Sequence, residues 1–278
     1  MTRLLLALIP TTLPSLISAC EKKQENNATI IVHYLLLIQD RLFICYLFII
    51  IPEFIHLLFM GNTMTRRPGE LGYVKSPKLS VFDAKEKDLK FQIASDIHLE
   101  FYNLNQSEDE AKNKEDREEL FCKLLTPSAP YLALLGDIGL PANETFGKIY
   151  ADLLAWCAIH WEEVWVVSGN HEYYKSDNIE TEEAISMACK QAGDNVVYMQ
   201  NTTLIREGVR VCGSSLWSFI PGEVGSDTYN NIHMRLSDYK HISIREGSAK
   251  RALEPKDTHR WHLEHVTWIK EQITEVSW

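Results

Sequence analysis

The stretch Phe91-Gln92-Ile93-Ala94-Ser95-Asp96-Ile97-His98 passes from four residues of strand length and composition directly into a carboxylate and an imidazole. The device recurs twice. Tyr131-Leu132-Ala133-Leu134-Leu135 leads into Gly136-Asp137, and Val164-Trp165-Val166-Val167 leads into Ser168-Gly169-Asn170-His171-Glu172. Both intervals hold helical patterns. One spans 118–125 after a charged stretch. A clearer one spans 144–161, with Phe146, Ile149, Tyr150, Leu153, Leu154, Cys157 and Trp161 at steps of three and four. Strands alternating with helices predict an α/β domain around a largely parallel sheet. In such a sheet ligands gather beyond the carboxyl ends of the strands. The three strand ends therefore predict one cleft holding Asp96, His98, Asp137, Asn170 and His171.

The residue types suit a cation. Asp96 and His98 are two apart, so in extended chain they project to the same side and can chelate one ion. Asp137 follows a glycine that allows a tight turn, and its two oxygens can bridge two cations. Asn170 offers an amide oxygen to a second ion, and His171 beside it can face a substrate. A carboxylate, imidazole and amide set suits manganese, iron, zinc or magnesium. Any one of these pieces alone is commonplace at a strand end. Their force lies in the ordered series.

In the motifs Asp96-Ile97-His98, Gly136-Asp137 and Gly169-Asn170-His171-Glu172 the chain resembles the calcineurin-like metallophosphoesterases, from about Leu89 to its end. The resemblance implies a two-sheet β-sandwich flanked by helices and a pair of divalent cations. Asp96 and His98 would hold the first cation, Asp137 would bridge both, Asn170 would hold the second, and His171 would contact the scissile phosphate. The implied reaction is hydrolysis of a phosphate mono- or diester by a metal-bridged hydroxide. The substrate partner is then a phosphate ester, with specificity in loops that carry no readable code. Glu172 replaces the aspartate more usual after that histidine. The family pattern continues with a later strand histidine and a Gly-His-x-His segment, and neither occurs before Trp278. The expectation is thus a C-terminally incomplete member, lacking one histidine for the first ion and two for the second. The alternative is a non-catalytic descendant serving as a binding or interaction module.

Working outward, 181–192 reads as a helix, 195–200, 203–205 and 209–217 as short strands with a Glu207-Gly208 turn, and 257–276 as a final helix. His259, His262 and His265 recur every three residues within a limited arc of that helix, a surface row of a kind that only rarely binds metal. His233 and His241 fall in an expected loop near the cleft. Residues 1–63 form an apolar leader, with a signal-like run over 4–20 and a second run over 42–60 long enough for a membrane anchor. Residues 64–88 read as a linker and 89–278 as the metallophosphoesterase-like domain.

The net charge of −10 falls entirely in 64–278, because 1–63 carries four basic and four acidic groups. An acidic body does not draw nucleic acid by its general field. No nucleic-acid partner is expected. Six cysteines without a Cys-x-x-Cys pair suit a reducing compartment, and the expected location is cytoplasmic, or membrane-associated through 42–60.

Overall fold

A computed structural model describes residues 28–38, 41–51, 80–82, 89–105 and 107–274, with side chains over 89–105 and 107–272. Its centre is a parallel sheet of β4 (Phe91–Ala94), β5 (Tyr131–Leu135), β6 (Glu163–Val167) and β7 (Val196–Tyr198), with β3 (Ser80–Phe82) antiparallel on the β4 edge. Helix α1 (Glu110–Leu124) links β4 to β5, α2 (Gly147–His160) links β5 to β6, and α3 (Asn178–Ala192) links β6 to β7.

The strands alternate apolar residues between two faces, as the pleat requires. Leu132, Leu134, Val164 and Val166 face a core completed by Ile149, Tyr150, Leu153, Leu154 and Cys157 of α2 and by Ile185 and Cys189 of α3. Ala133, Leu135, Trp165 and Val167 face the other way, where they pack with Met199, Val209 and Val211. Trp165 is fully buried there, stacked on Tyr131 at 5.3 Å and tilted against Phe91 at 5.9 Å. Removing a buried tryptophan of this kind costs about 3–5 kcal/mol.

Val209 and Val211 belong to a second, antiparallel sheet in the order β1 (Ala28–Ile38), β2 (Arg41–Ile51), β9 (Val209–Ser214), β8 (Thr202–Arg206). Glu207 (φ 49°) and Gly208 (φ 77°) make the expected tight turn between β8 and β9, both in the left-handed region that such turns demand. Beyond β9 follow α4 (Asp227–Arg235), α5 (Asp238–His241), the hairpin β10 (Ser243–Glu246) and β11 (Ala249–Ala252), and α6 (Pro255–Thr274).

Several boundaries differ from the sequence expectation, each for a physical reason. Helix α1 starts at Glu110 rather than near 118, because Asp109 caps it by accepting the Ala111 N–H at 2.9 Å. Its charged first turns also bury Arg117, which pairs with Glu110 at 2.6 Å and Asp152 at 2.8 Å. Helix α3 begins three residues early, because Asp177 accepts the N–H groups of Ile179 and Glu180. The expected loop containing His233 and His241 is helical, over α4 and α5. The apolar run read as an anchor is a strand over Arg41–Ile51, paired to β9 from Tyr46↔Ser214 to Ile50↔Arg210. Its β-branched and aromatic residues suit a pleated strand as well as a helix. Residues 52–60 lie outside the described residues, as do 4–20 and most of the linker. Among the described residues no helix is long and apolar enough to cross a membrane.

Candidate metal centre

The parallel strands β4, β5 and β6 end side by side, and each turn beyond them is fixed by its neighbours. Asp96 (φ 55°), His98 (φ 53°) and Asp137 (φ 54°) all sit in the left-handed region, a strained setting for residues other than glycine. The strain is held by a continued ladder. The Asp96 N–H donates to Gly136 O at 3.1 Å, the His98 N–H to Asp137 O at 2.9 Å, and the Leu99 N–H to Ile138 O at 2.9 Å. From the third strand end, the fully buried Glu172 carboxylate accepts the N–H groups of Asp137 (2.9 Å), Ile138 (2.7 Å) and Gly169 (2.8 Å). Glu172 therefore has a clear structural task. Its side chain ties the second loop to the third.

The close packing leaves no room at Gly169, where a Cβ would lie 2.3 Å from Asp137 Oδ1. That same oxygen accepts the His171 N–H at 3.0 Å. A ring nitrogen from each of His98 and His171 and a carboxylate oxygen of Asp137 all lie within 4.8 Å of one another. The two rings meet edge to face at 4.4 Å. Asp96 stands beside this group, its carboxylate accepting the Ser95 hydroxyl at 2.6 Å. Asn170 is buried, and its amide nitrogen donates to Asp238 Oδ1 at 2.6 Å. The structure thus gathers His98, Asp137 and His171 most tightly, with Asp96 close enough to feel their charges, while Asn170 turns its amide nitrogen to Asp238 and Tyr174.

Two acidic residues at this site were not anticipated from sequence. Glu100 Oε1 lies 3.0 Å from Nδ1 of His98 and 3.0 Å from Nδ1 of His171. Glu100 reaches the site through the short turn Leu99–Phe101, which strand alternation does not announce. Asp238 comes from α5 and had no local signal. The His259, His262 and His265 row makes hydrogen bonds to three separate segments. The Ile220 N–H donates to His259 at 3.3 Å, His262 Nδ1 lies 2.6 Å from Trp217 O, and His265 meets Gln200 at 2.9 Å.

Crowding shapes the electrostatics. Burial first, and then the charge of Asp137, push the Asp96 carboxyl up to about 6. Burial would lower His98, but Glu100, Asp137 and Asp96 outweigh it and push the ring up to about 9. The same contest, with Glu100 and Asp137 prevailing, raises His171. Burial opposes ionisation of Glu100, yet its two histidine partners bring it down to about 2. Burial raises Asp238. Burial and Asp137 push Glu172 up to about 7 against the pull of its three backbone donors. These buried acids clustered on two imidazoles make a site suited to positive charge.

No family model matches the chain. It is 25% identical over 187 residues to an uncharacterized protein of Acanthamoeba polyphaga mimivirus, a match covering 64% of this chain. The chain spans 61% of that relative's length. Among solved structures it is similar to the crystal structure of a phosphopantetheinyl hydrolase (PptH) from Mycobacterium tuberculosis, at a TM-score of 0.46 and 15% identity. That match covers 68% of this chain and 64% of the other.

Proposed function

We propose that the chain is a metal-dependent phosphoesterase of the calcineurin-like kind, hydrolysing a phosphate mono- or diester. The observation that carries this is the meeting of His98, Asp137 and His171 ligand atoms within 4.8 Å, at the carboxyl ends of three adjacent parallel strands. The residues present fit divalent cations. Carboxylates crowd together with Asp96 pushed up to about 6, which a cation would relieve, and the donors are the oxygens and imidazoles that manganese, iron, zinc or magnesium accept. Asp96 and His98 would hold one cation, Asn170 a second, and Asp137 would bridge the two. Bound cations would supply polarisation of a phosphoryl oxygen and a lowered pKa for water.

The remaining work falls to the chain. Glu100 and Asp137 keep a proton on His171, which can donate from its free ring nitrogen to a phosphate oxygen and then to the leaving alkoxide. Glu172 holds the Asp137 backbone still, so the bridging carboxylate does not drift. Packing of Val209 and Val211 onto Trp165 and Leu135 supports a two-sheet β-sandwich as the scaffold. The same reading extends to a cytoplasmic location, or to membrane association through 42–60.

The test is manganese-dependent hydrolysis of bis(p-nitrophenyl) phosphate by the purified chain. Turnover is expected, and Asp137→Asn should abolish it. An undiminished rate in that variant would refute the assigned bridge. Manganese binding without any turnover would favour the non-catalytic binding module instead.

A further inference from the structure

One carboxylate serves two histidines at this site. Nδ1 of His98 and Nδ1 of His171 each lie 3.0 Å from the same oxygen, Glu100 Oε1. An ionised carboxylate only accepts hydrogen bonds, so both nitrogens must carry the proton and donate. Nε2 is then the free nitrogen of each ring. We infer that Glu100 is a shared positioning residue, fixing through one oxygen both the cation-holding His98 and the phosphate-facing His171.

Three observations separate this from an ordinary ion pair. Glu100 has only 8% of its side chain exposed. Its second oxygen, Oε2, is buried without a hydrogen-bond partner among the described residues, which disfavours a role in stability alone. The two rings also have separate aromatic supports. Phe101 lies against His98 at 5.2 Å, whereas Tyr174 stacks on His171 at 4.3 Å. Those supports confine each ring from the side, and the carboxylate sets its rotation. The short turn Leu99–Phe101 places Glu100 there, directly after the left-handed His98.

The consequence for turnover rests on the phosphoesterase reading, but the ring geometry does not, and the experiment reads the geometry. The full chain is labelled with 15N-histidine, and proton–nitrogen correlations of the imidazoles are recorded without metal. His98→Asn and His171→Asn assign the two signals. His160 and His262 act as internal references, since their Nδ1 atoms lie 2.7 Å from Trp156 O and 2.6 Å from Trp217 O. In the wild type, His98 and His171 should both show protected, downfield Nδ1–H signals. Glu100→Ala should lose both while the references persist. Glu100→Gln keeps an acceptor oxygen and should restore both at reduced downfield shift. Persistence of both signals in Glu100→Ala would overturn the inference. If the references vanish there too, Glu100→Gln decides: unshifted signals in that folded variant would equally overturn it. A manganese titration adds a second readout, with affinity falling about 10–100-fold in Glu100→Ala. Loss of the ring signals in an enzyme that shows no turnover would remove the proposed activity and leave this inference standing.

Discussion

Asp238 accepts the side-chain amide of Asn170 at 2.6 Å, across 68 positions of sequence. Because an ionised carboxylate cannot donate, it fixes which end of the amide it meets, and the Asn170 oxygen becomes the end left for a cation. Asp238 also accepts the Tyr174 hydroxyl at 3.1 Å, and Tyr174 stacks on His171. Asp238→Ala should therefore weaken one manganese-binding step about 10–100-fold while sparing the step that depends on Asp96 and His98. Isothermal titration separates the two. Identical isotherms for variant and wild type would sink the orienting role.

Gly169 tests how tightly the second and third loops must approach. An added Cβ would meet Asp137 Oδ1 at 2.3 Å and Asp137 N at 2.8 Å, and Asp137 cannot retreat because Glu172 and His98 hold its backbone. Gly169→Ala should cost roughly 1–3 kcal/mol by overpacking, and it should also abolish metal binding. Gly208→Ala is the matched control. It has open space but a φ of +77°, so it should cost roughly 1–2 kcal/mol and leave metal binding unchanged. Urea denaturation with metal titration reads both effects, and a Gly169→Ala chain that binds manganese normally would contradict the packing argument.

Acid should loosen the β10–β11 hairpin through Asp177. This buried carboxylate caps α3 and meets Arg245 at 2.7 Å and Lys250 at 2.8 Å. Burial alone would raise it, but Arg245, the Glu180 N–H and Lys250 together hold it well below the usual carboxylate range. A folded-state pKa below the unfolded one gives stability that is complete above the unfolded value, near 4, and is lost as pH falls below it. Asp177→Asn keeps the cap and removes the charge. It should lower stability at pH 7 by roughly 1–3 kcal/mol, and its deficit should shrink as pH drops below about 4. Denaturation midpoints measured from pH 7 to pH 3 check this, and a deficit independent of pH would reject it.

The three strand ends were legible because each couples an apolar run to a polar group, and adjacent parallel strands end at a common edge; the left-handed turns at Asp96, His98 and Asp137 were not. Nor were the supporting acids. Glu100 works through a turn that breaks the strand alternation, and the Asp238 partner is 68 residues away, beyond any local pattern. The first half of α1 was hidden for a related reason. Its charged composition resembles a loop, yet Arg117 is buried by ion pairs that only the fold supplies. Apolarity also failed to distinguish a strand from a membrane helix over Arg41–Ile51, since both want the same residues. The pairing of that strand with β9 is a long-range property that composition does not display.

Metal should stabilise the chain, and the source of the effect is specific. Without a cation, burial and the Asp137 charge both work against ionisation of Asp96. A ligand that binds only the folded state adds RT ln(1 + [L]/Kd), about 2.7 kcal/mol at a hundredfold excess. For a domain of this size that is a rise in Tm of roughly 5–10 °C, reversed by chelation. Asp137→Asn divides the two contributions. The amide can keep the contact with the His171 N–H, and the repulsion on Asp96 that it removes is offset by the lost attraction to His98 and His171, so the metal-free variant should melt close to the metal-free wild type. The manganese-induced rise should vanish in the same variant. Thermal melts of both proteins, with and without manganese, test the pair of expectations together. A variant that loses stability without metal yet keeps the full rise would mean that the cation sits elsewhere and that Asp137 is merely a structural acid.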